Sequence, residues 1–117
     1  MPQETAFLTD YAVLWPNIGY GNNGEVLLGT AVEIRCRWES GRRDALSPDG
    51  IVIAVDALVI VKQAIAVGSV IWRGRLADKA NATGLAEVKI YNEVPDLKGR
   101  DVYREVMVIL KNDSAPS

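Results

Sequence analysis

The sequence predicts an all-β fold, a small antiparallel β-barrel, on three observations. Apolar and polar residues alternate along 31–39 and again along 86–92, which is the period of two that half-buried strands show. The segment between them, 51–67, is rich in Val and Ile, whose branched side chains favour pleated sheet. Turn-forming residues separate these segments, and no long amphipathic helix is visible. The expected architecture is a barrel of short strands with a long loop between the second and third main strands.

The individual strands are predicted from their local patterns. The alternation in 31–39 places four apolar side chains on the face expected to point into the core: Val32, Ile34, Cys36 and Trp38. We expect one long or two short strands in 51–67 and a shorter strand over 70–76. The strands of 86–92 and 102–110 complete the set.

The connections carry turn chemistry. Residues 47–50 read Ser-Pro-Asp-Gly, with the residues that a type I turn favours at its central and fourth positions. Residues 78–84 are expected to form a polar loop. Residues 94–101 place Pro95 and Gly99 between two strands, so they are expected to form another loop.

The length of 117 residues predicts a single domain over residues 1–117, with a flexible N-terminal segment (about 1–10) and a polar C-terminal tail (about 111–117). A single cysteine cannot form an internal disulfide, which suits a reducing compartment. The first nine residues lack a signal-peptide pattern, and charged or polar residues interrupt the longest apolar-rich stretch, 51–70. We therefore expect a protein made in the host cytoplasm that has no membrane partner.

The charge and the missing histidines exclude several kinds of chemistry. The net charge of −2 and the pI near 5.1 argue against a domain whose main task is to neutralise nucleic-acid phosphates. With no histidine, nucleophile pairs of the Ser-His or Cys-His kind cannot form. The aspartates are scattered singly, without the spacing of a calcium loop. We expect no enzymatic activity, no catalytic residues, no cofactor and no metal.

Glycines in the segment 17–29, which reads NIGYGNNGEVLLG, match the spacing G-x-G-x-x-G of a dinucleotide-binding loop at Gly19, Gly21 and Gly24. That motif needs a buried strand before the glycines and a helix after them. Pro16 and Asn17 interrupt the approach, and Gly29 falls where a helix would be maturing. A flexible connection into the strand of 31–39 is the favoured interpretation.

The polar segment 39–50 is the candidate functional site. It is longer than the two to five residues that usually connect a hairpin, and long excursions of this kind are often functional. The alternative is a solvated, mobile loop. Cys36, by contrast, is expected to be a core residue because it lies on the apolar face of its strand. The candidate residues are Glu39, Ser40, Gly41, Arg42, Arg43, Asp44, Ala45, Leu46, Ser47, Pro48, Asp49 and Gly50.

The order of features along 10–110 resembles the head-completion or stopper proteins of tailed bacteriophages, which are small β-barrels of the phage neck. The segment DYAVLWP precedes a glycine-containing loop and the strand VEIRCRWE, which holds the triplet Arg37-Trp38-Glu39. A polar loop ending in Asp49-Gly50 follows, then apolar strands ending in IAVGS, the segment KIYNEVPDLKG and the last strand VYREVMVIL.

This resemblance implies a structural protein of the virion, at the interface of head and tail. It would form a ring with copies of itself between the portal or adaptor proteins and the tail tube or tail terminator. The loop 39–50 would point into the channel, help to close it around packaged double-stranded DNA, and the ring would offer the surface to which the tail attaches. Arg42 and Arg43 would then face DNA, while Asp44 and Asp49 would pair with arginines of neighbouring copies.

Two alternatives remain open. A tail-completion or tail-terminator protein also forms rings on a β-rich scaffold, but docks on the tail tube. A module similar to an OB-fold that binds single-stranded nucleic acid would use Trp15, Trp38 and Trp72 as stacking platforms. The acidic pI and the expected inward direction of Trp38 disfavour this second alternative.

Overall fold

The computed structural model describes residues 8–95 and 102–111, and within these ranges the protein is built from eight strands and one short 3₁₀ helix. The elements, in chain order, are β1 (Asp10–Trp15), β2 (Asn17–Tyr20), β3 (Val26–Leu28), β4 (Val32–Leu46), β5 (Val52–Val61), β6 (Val70–Arg73), the 3₁₀ helix (Leu76–Asn81), β7 (Ala86–Pro95) and β8 (Val102–Leu110).

Six strands form a closed ring in the order β1-β4-β5-β8-β7-β6, and every pair of neighbours is antiparallel. The strands β2 and β3 form a separate two-stranded hairpin. The all-β, antiparallel class that the alternating segments predict is confirmed. Closure matters for stability because a sheet that returns on itself leaves fewer backbone edges unpaired.

The core lies inside the ring and consists of the alternate side chains of its strands. Ile34, Cys36 and Trp38 are buried there, as the alternation predicts. Val32 is 43% exposed instead, because it pairs with Leu14 near the end of the ring. Burial of branched side chains is the main favourable contribution to such a fold, at roughly 25 cal/mol per Å² of apolar surface.

A second apolar cluster covers the outside of the ring. Trp15, Val13, Val70 and Leu85 form its buried part. The 3₁₀ helix contributes Leu76, which packs against the cluster. The prediction of a polar loop over 78–84 was therefore wrong for 78–81, where the chain is helical. The helix lies here because its leucine closes the outer cluster.

Several other predictions are settled by the strand bounds. The segment 51–67 contains one strand, β5, followed by irregular chain, and the strand of 70–76 ends at Arg73. The strand of 86–92 extends to Pro95, and the last strand has the predicted bounds. The expected connection at 94–101 and the polar tail lie largely outside the described residues, as do residues 1–7. Within the expected N-terminal segment, Leu8 is buried.

The predicted long loop between the second and third main strands was wrong in its conformation. Strand β4 continues without a break to Leu46, and β5 begins at Val52. Only residues 47–51 lie between them. The two strands remain paired as far as Leu46 and Val52, so that the predicted loop is mostly a β-hairpin.

The strand register gives the ring two opposite ends. The first is the end at which Asp10 of β1 pairs with Cys36; β4 leaves the ring there toward the tip of its hairpin, and we call it the arm end. The second is the end at which β1 finishes with Trp15, from which the β2–β3 hairpin departs before the chain returns at Val32. We call it the groove end.

Candidate functional site

The candidate segment belongs to a two-stranded arm, which we define as residues 41–56. Inside the ring, β1 pairs with β4 as far as Cys36, and β8 pairs with β5 from Ala57 onward. Beyond the pair Ser40–Ala57, the described pairs of β4 and β5 are with each other. The arm therefore extends from the arm end of the ring as a hairpin that continues two ring strands.

A β-bulge marks the start of the arm. The register of β4 against β5 shifts between Ser40 and Arg43, and Gly41 has a φ of 144°. This region of backbone conformation strongly favours glycine, and a bulge increases the local bend and twist of a hairpin. Gly41 thus changes the direction of the arm relative to the ring.

The tip of the arm is the turn that the sequence predicts at 47–50. The N–H of Gly50 donates to the carbonyl of Ser47 at 2.9 Å, and the N–H of Ser47 donates to the carbonyl of Ile51 at 2.8 Å. Ser47 also accepts a hydrogen bond from the N–H of Ile51 on its Oγ, at 3.2 Å. These three bonds hold the tip in a defined conformation.

One face of the arm is packed. Ala45 and Val55 form a buried cluster with Ile90 of β7. Ile53, Met107 and Ile109 pack against this cluster. Because Met107 and Ile109 alternate along β8 with core residues, they lie on the face of β8 that points away from the core. The cluster therefore joins the arm to the outside of the ring.

The other face and the tip of the arm are exposed. Leu46, Ile51 and Val52 are 65%, 62% and 64% exposed, respectively. Leu46 and Val52 are also direct cross-strand partners, so their side chains lie on the same face. Exposed apolar groups gathered in this way are typical of interaction surfaces.

The charged residues of the arm divide into two groups. Arg42 forms an ion pair with Asp56 at 3.4 Å, and Arg43 donates from Nε to the carbonyl of Gly41 at 3.2 Å. Both guanidinium groups thus bind within the arm. Asp44 and Asp49, nearer the tip, are exposed. The arm therefore offers acidic and apolar groups at its tip and basic groups closer to its base.

The base of the arm is held by Asp10. Its Oδ2 accepts a hydrogen bond from the N–H of Trp38 at 2.9 Å, and its Oδ1 contacts Arg73 at 3.3 Å. The Trp38 hydrogen bond, with the positive charge of Arg73, lowers the pKa of Asp10 against the opposing effect of burial. This carboxylate links three neighbouring ring strands where the arm begins.

The groove end carries an open, mainly apolar groove of about 470 Å³. Leu14, Pro16, Ile65, Val67 and Tyr91 line it, together with smaller residues. Sequence reasoning missed this groove because its walls come from three separate parts of the chain. A signal existed only in the Ala-rich segment after β5, which the strand prediction had absorbed.

The β2–β3 hairpin stands beside the groove and contains the glycines of the apparent nucleotide motif. Asn17 fixes it to the next loop, because its N–H donates to Oγ of Ser69 and its Nδ2 to the carbonyl of Val67, each at 2.9 Å. A strand, β3, follows Gly24 instead of a helix. The segment is therefore an ordered hairpin rather than the flexible connection expected, and it has no helix N-terminus for a phosphate.

The three tryptophans differ from the stacking platforms of the nucleic-acid alternative. Trp15 and Trp38 are buried. Trp72 is half-buried, and its indole N–H donates to the carbonyl of Thr83 at 2.8 Å. Base stacking needs accessible ring faces, so the first two tryptophans do not supply them.

The remaining candidate chemistry is limited. Cys36 is fully buried, and burial raises the pKa of its thiol to about 12; the prediction of a core role is confirmed. Across residues 8–95 and 102–111, no group of three or more Cys, Asp or Glu side chains has an arrangement that would hold a metal ion. In the same ranges, no helix has the length and apolarity to cross a membrane.

Comparison of the chain with models of known protein families and with curated protein sequences gives no match in either case.

Proposed function

We propose that this protein is a structural component of a tailed-phage neck that forms a ring between the portal or adaptor and the tail. The observation that carries the proposal is the arm, which leaves one end of a small strand ring and places Leu46, Ile51 and Val52 in solvent. Repeated around a symmetry axis, identical arms meet at the centre. A small movement of each arm then closes an opening.

The two ends of the ring support a connecting role. The arm extends from one end, and the β2–β3 hairpin leaves the other with Ile18 and Tyr20 strongly exposed. A neck protein has to bind different partners above and below. Two opposed apolar surfaces on one domain suit this task, since each is rich enough in exposed side chains to bury area in an interface.

The arm is the part of the protein that would help to close the channel around packaged double-stranded DNA. In this role, Arg42 and Arg43 lie closer to the ring and contact phosphates when their bonds within the arm open. Asp44 and Asp49 lie toward the tip and meet neighbouring copies. Such a division separates contact with DNA from contact between subunits along the arm.

The test is to shorten the arm without disturbing its packed base. Replacing residues 45–53 by Asn-Gly, a favoured two-residue hairpin turn, joins Asp44 to its partner Ala54 and retains Val55. Phage particles assembled with this variant should package DNA and then lose it. A matched control, Asn-Gly in place of Pro48-Asp49, keeps the arm length and should retain DNA.

Imaging of particles with the labelled protein tests the location. Density for a ring between portal and tail is the expected result, and a position elsewhere contradicts the proposal. A ring seated on the tail tube alone would favour the tail-terminator alternative. Normal DNA retention by the shortened variant, with the ring in place, would remove the closing role from the arm.

A further inference from the structure

The arm tip and the groove are complementary in chemistry and lie at opposite ends of the molecule. The arm leaves the ring beyond the pair Asp10–Cys36. The groove is lined by Leu14, at the other end of β1, and by the chain that follows β5. One copy cannot bring its own tip into its own groove without unfolding the ring, but two copies placed end to end can join them.

The arm tip offers an apolar knob with acidic flanks. Leu46, Ile51 and Val52 supply the apolar surface. Asp44 and Asp49 are exposed beside it. The arginines of the arm bind instead to Asp56 and to the carbonyl of Gly41, so that the carboxylates are the charges nearest the knob.

The groove offers an apolar wall with basic groups at one edge. Tyr91 lines the groove and accepts a hydrogen bond on its hydroxyl from Nε of Arg104 at 2.8 Å. The same guanidinium donates to the carbonyl of Lys62, and Lys62 lies over the ring of Tyr103 at 4.9 Å. Glu93 is the carboxylate at this edge, 3.6 Å from Arg104. The two cations therefore outnumber the acid there.

We propose that the groove of one copy receives the arm tip of a second copy. Leu46, Ile51 and Val52 would fill the apolar part, while Asp44 and Asp49 would approach Lys62 and Arg104 at its edge. This contact rests on the proposed assembly of the protein with itself and identifies the surfaces that would form it. Charge complementarity sets the direction of insertion, and the apolar knob supplies the buried area.

Such a contact is heterologous, because two different surfaces of the same chain meet. A heterologous contact leaves one tip and one groove unused at the ends of every open chain, and it is satisfied throughout only when a ring closes. A closed ring is thus the natural product of the proposed pairing. The bulge at Gly41 sets the direction of the arm and thereby the angle between successive copies.

Cysteine crosslinking between two separately labelled copies tests the contact. Val52→Cys places a thiol on the tip, and Val67→Cys places one in the groove, where the native valine is exposed. Under mild oxidation of concentrated protein, a mixture of the two variants should give a disulfide-linked dimer. Each variant alone should give little dimer, and the buried Cys36 should not react. Thr83→Cys, which is exposed away from the groove, is the matched control for Val67→Cys.

Charge reversal then tests the direction of the contact. Asp49→Lys in the tip variant, or Lys62→Glu in the groove variant, should lower the crosslinked fraction about threefold to fivefold, the scale of one exposed charge pair. Mixing the two reversed variants should restore it, because the charges are again opposite. Added salt should weaken both the native pair and the reversed pair.

Three results would overturn the contact: dimers of Val52→Cys alone, which would mean that tips meet tips; equal crosslinking to the Thr83→Cys control; or no mixed dimer. A crosslink from the groove to another virion protein would also overturn it. The location of the ring is measured separately by imaging. A protein found in the neck without this crosslink would retain the proposed function, whereas one absent from the neck would lose it even if the crosslink forms.

Discussion

Asp10 and Trp38 are joined across the base of the arm by a 2.9 Å hydrogen bond from the N–H of Trp38 to Oδ2 of Asp10. The described pairing of β1 with β4 ends at Asp10 and Cys36. The carboxylate therefore accepts the next donor along β4 where the backbone of β1 has no further pair in the register. A single side chain thus extends the contact between the two strands to the point where the arm starts.

Replacing this carboxylate should destabilise the protein. Asp10→Ala removes the acceptor for Trp38 and the partner of Arg73, and we expect the free energy of unfolding to fall by about 1–3 kcal/mol near neutral pH. Asp10→Asn keeps an oxygen acceptor and should lose less. Urea unfolding monitored by tryptophan fluorescence measures both changes. No loss in Asp10→Ala would show that the bond adds nothing to stability.

The pH dependence of the same pair has a defined sign. The pKa of Asp10 is lowered below its ordinary value of 3.8 when the protein is folded, so the folded state favours the charged form. The stabilisation is present above the unfolded pKa and is lost as the pH falls through the folded pKa. The difference between native protein and Asp10→Ala should therefore shrink below about pH 3.8. A difference that stays constant down to the acid transition contradicts this assignment.

The strands inside the ring could be predicted from the sequence, because each has one face in the core and one in solvent. Ile34, Cys36 and Trp38 alternate with charged residues, and the structure buries all three. The same rule failed for the arm. Its buried residue Ala45 is small, while its neighbour Leu46 is large and exposed. The arm rests on the outside of the ring, and the pattern along β4 changes after the bulge at Gly41.

The groove could not be predicted for a different reason. Its walls include Leu14, Ile65 and Tyr91, which are far apart in the chain and come together only through closure of the ring. Each residue by itself reads as an ordinary core position. The turn at 47–50, in contrast, depends on four consecutive residues, and its predicted position is confirmed. Local chemistry was readable, and assembly of distant segments was not.

The thiol of Cys36 should be inert in the folded protein. The residue is fully buried and its pKa is raised to about 12, first by burial and then by the charge of Asp10. At about pH 8, where an accessible thiol is partly ionised, a disulfide reagent such as Ellman's reagent should react only as the protein unfolds. The reaction in denaturant should consume one thiol per chain. Rapid, complete reaction of native protein would contradict the buried position.

Glu33 should anchor the start of the 3₁₀ helix. Its Oε1 accepts hydrogen bonds from Nε of Arg75 at 3.0 Å and from the N–H of Leu76 at 2.8 Å. The Arg75 bond, followed by the Leu76 bond, lowers the pKa of this carboxyl. In Glu33→Ala, the amide of Leu76 should exchange with solvent faster. Glu87→Ala, which removes a carboxylate paired with Lys89, is the control and should leave that amide unchanged.

The helix anchor also has a pH dependence of known direction. Because the folded pKa of Glu33 is lowered, protection of the Leu76 amide through this carboxylate is present above the unfolded pKa and falls as the pH drops through the folded pKa. Glu33→Gln retains an uncharged acceptor, so its protection should not change with pH in this range. Equal pH profiles for Glu33→Gln and the native protein would assign the protection to the backbone instead.

The arm itself can be tested with one substitution made at two positions of β5. Val55 is fully buried against Ile90, whereas Val52 is 64% exposed at the tip. Val55→Thr places a hydroxyl in an apolar cluster and should lower the free energy of unfolding by about 1–3 kcal/mol. Val52→Thr leaves the hydroxyl in water and should change it by less than about 0.5 kcal/mol. Chemical unfolding of the two variants compares identical atoms in two environments. Equal, small effects would mean that residues 41–56 do not pack on the ring and behave as the solvated loop that the polar sequence first indicates. A large effect confined to Val55 would establish the packed face, and it would leave the exposed face available for the contact with a second copy.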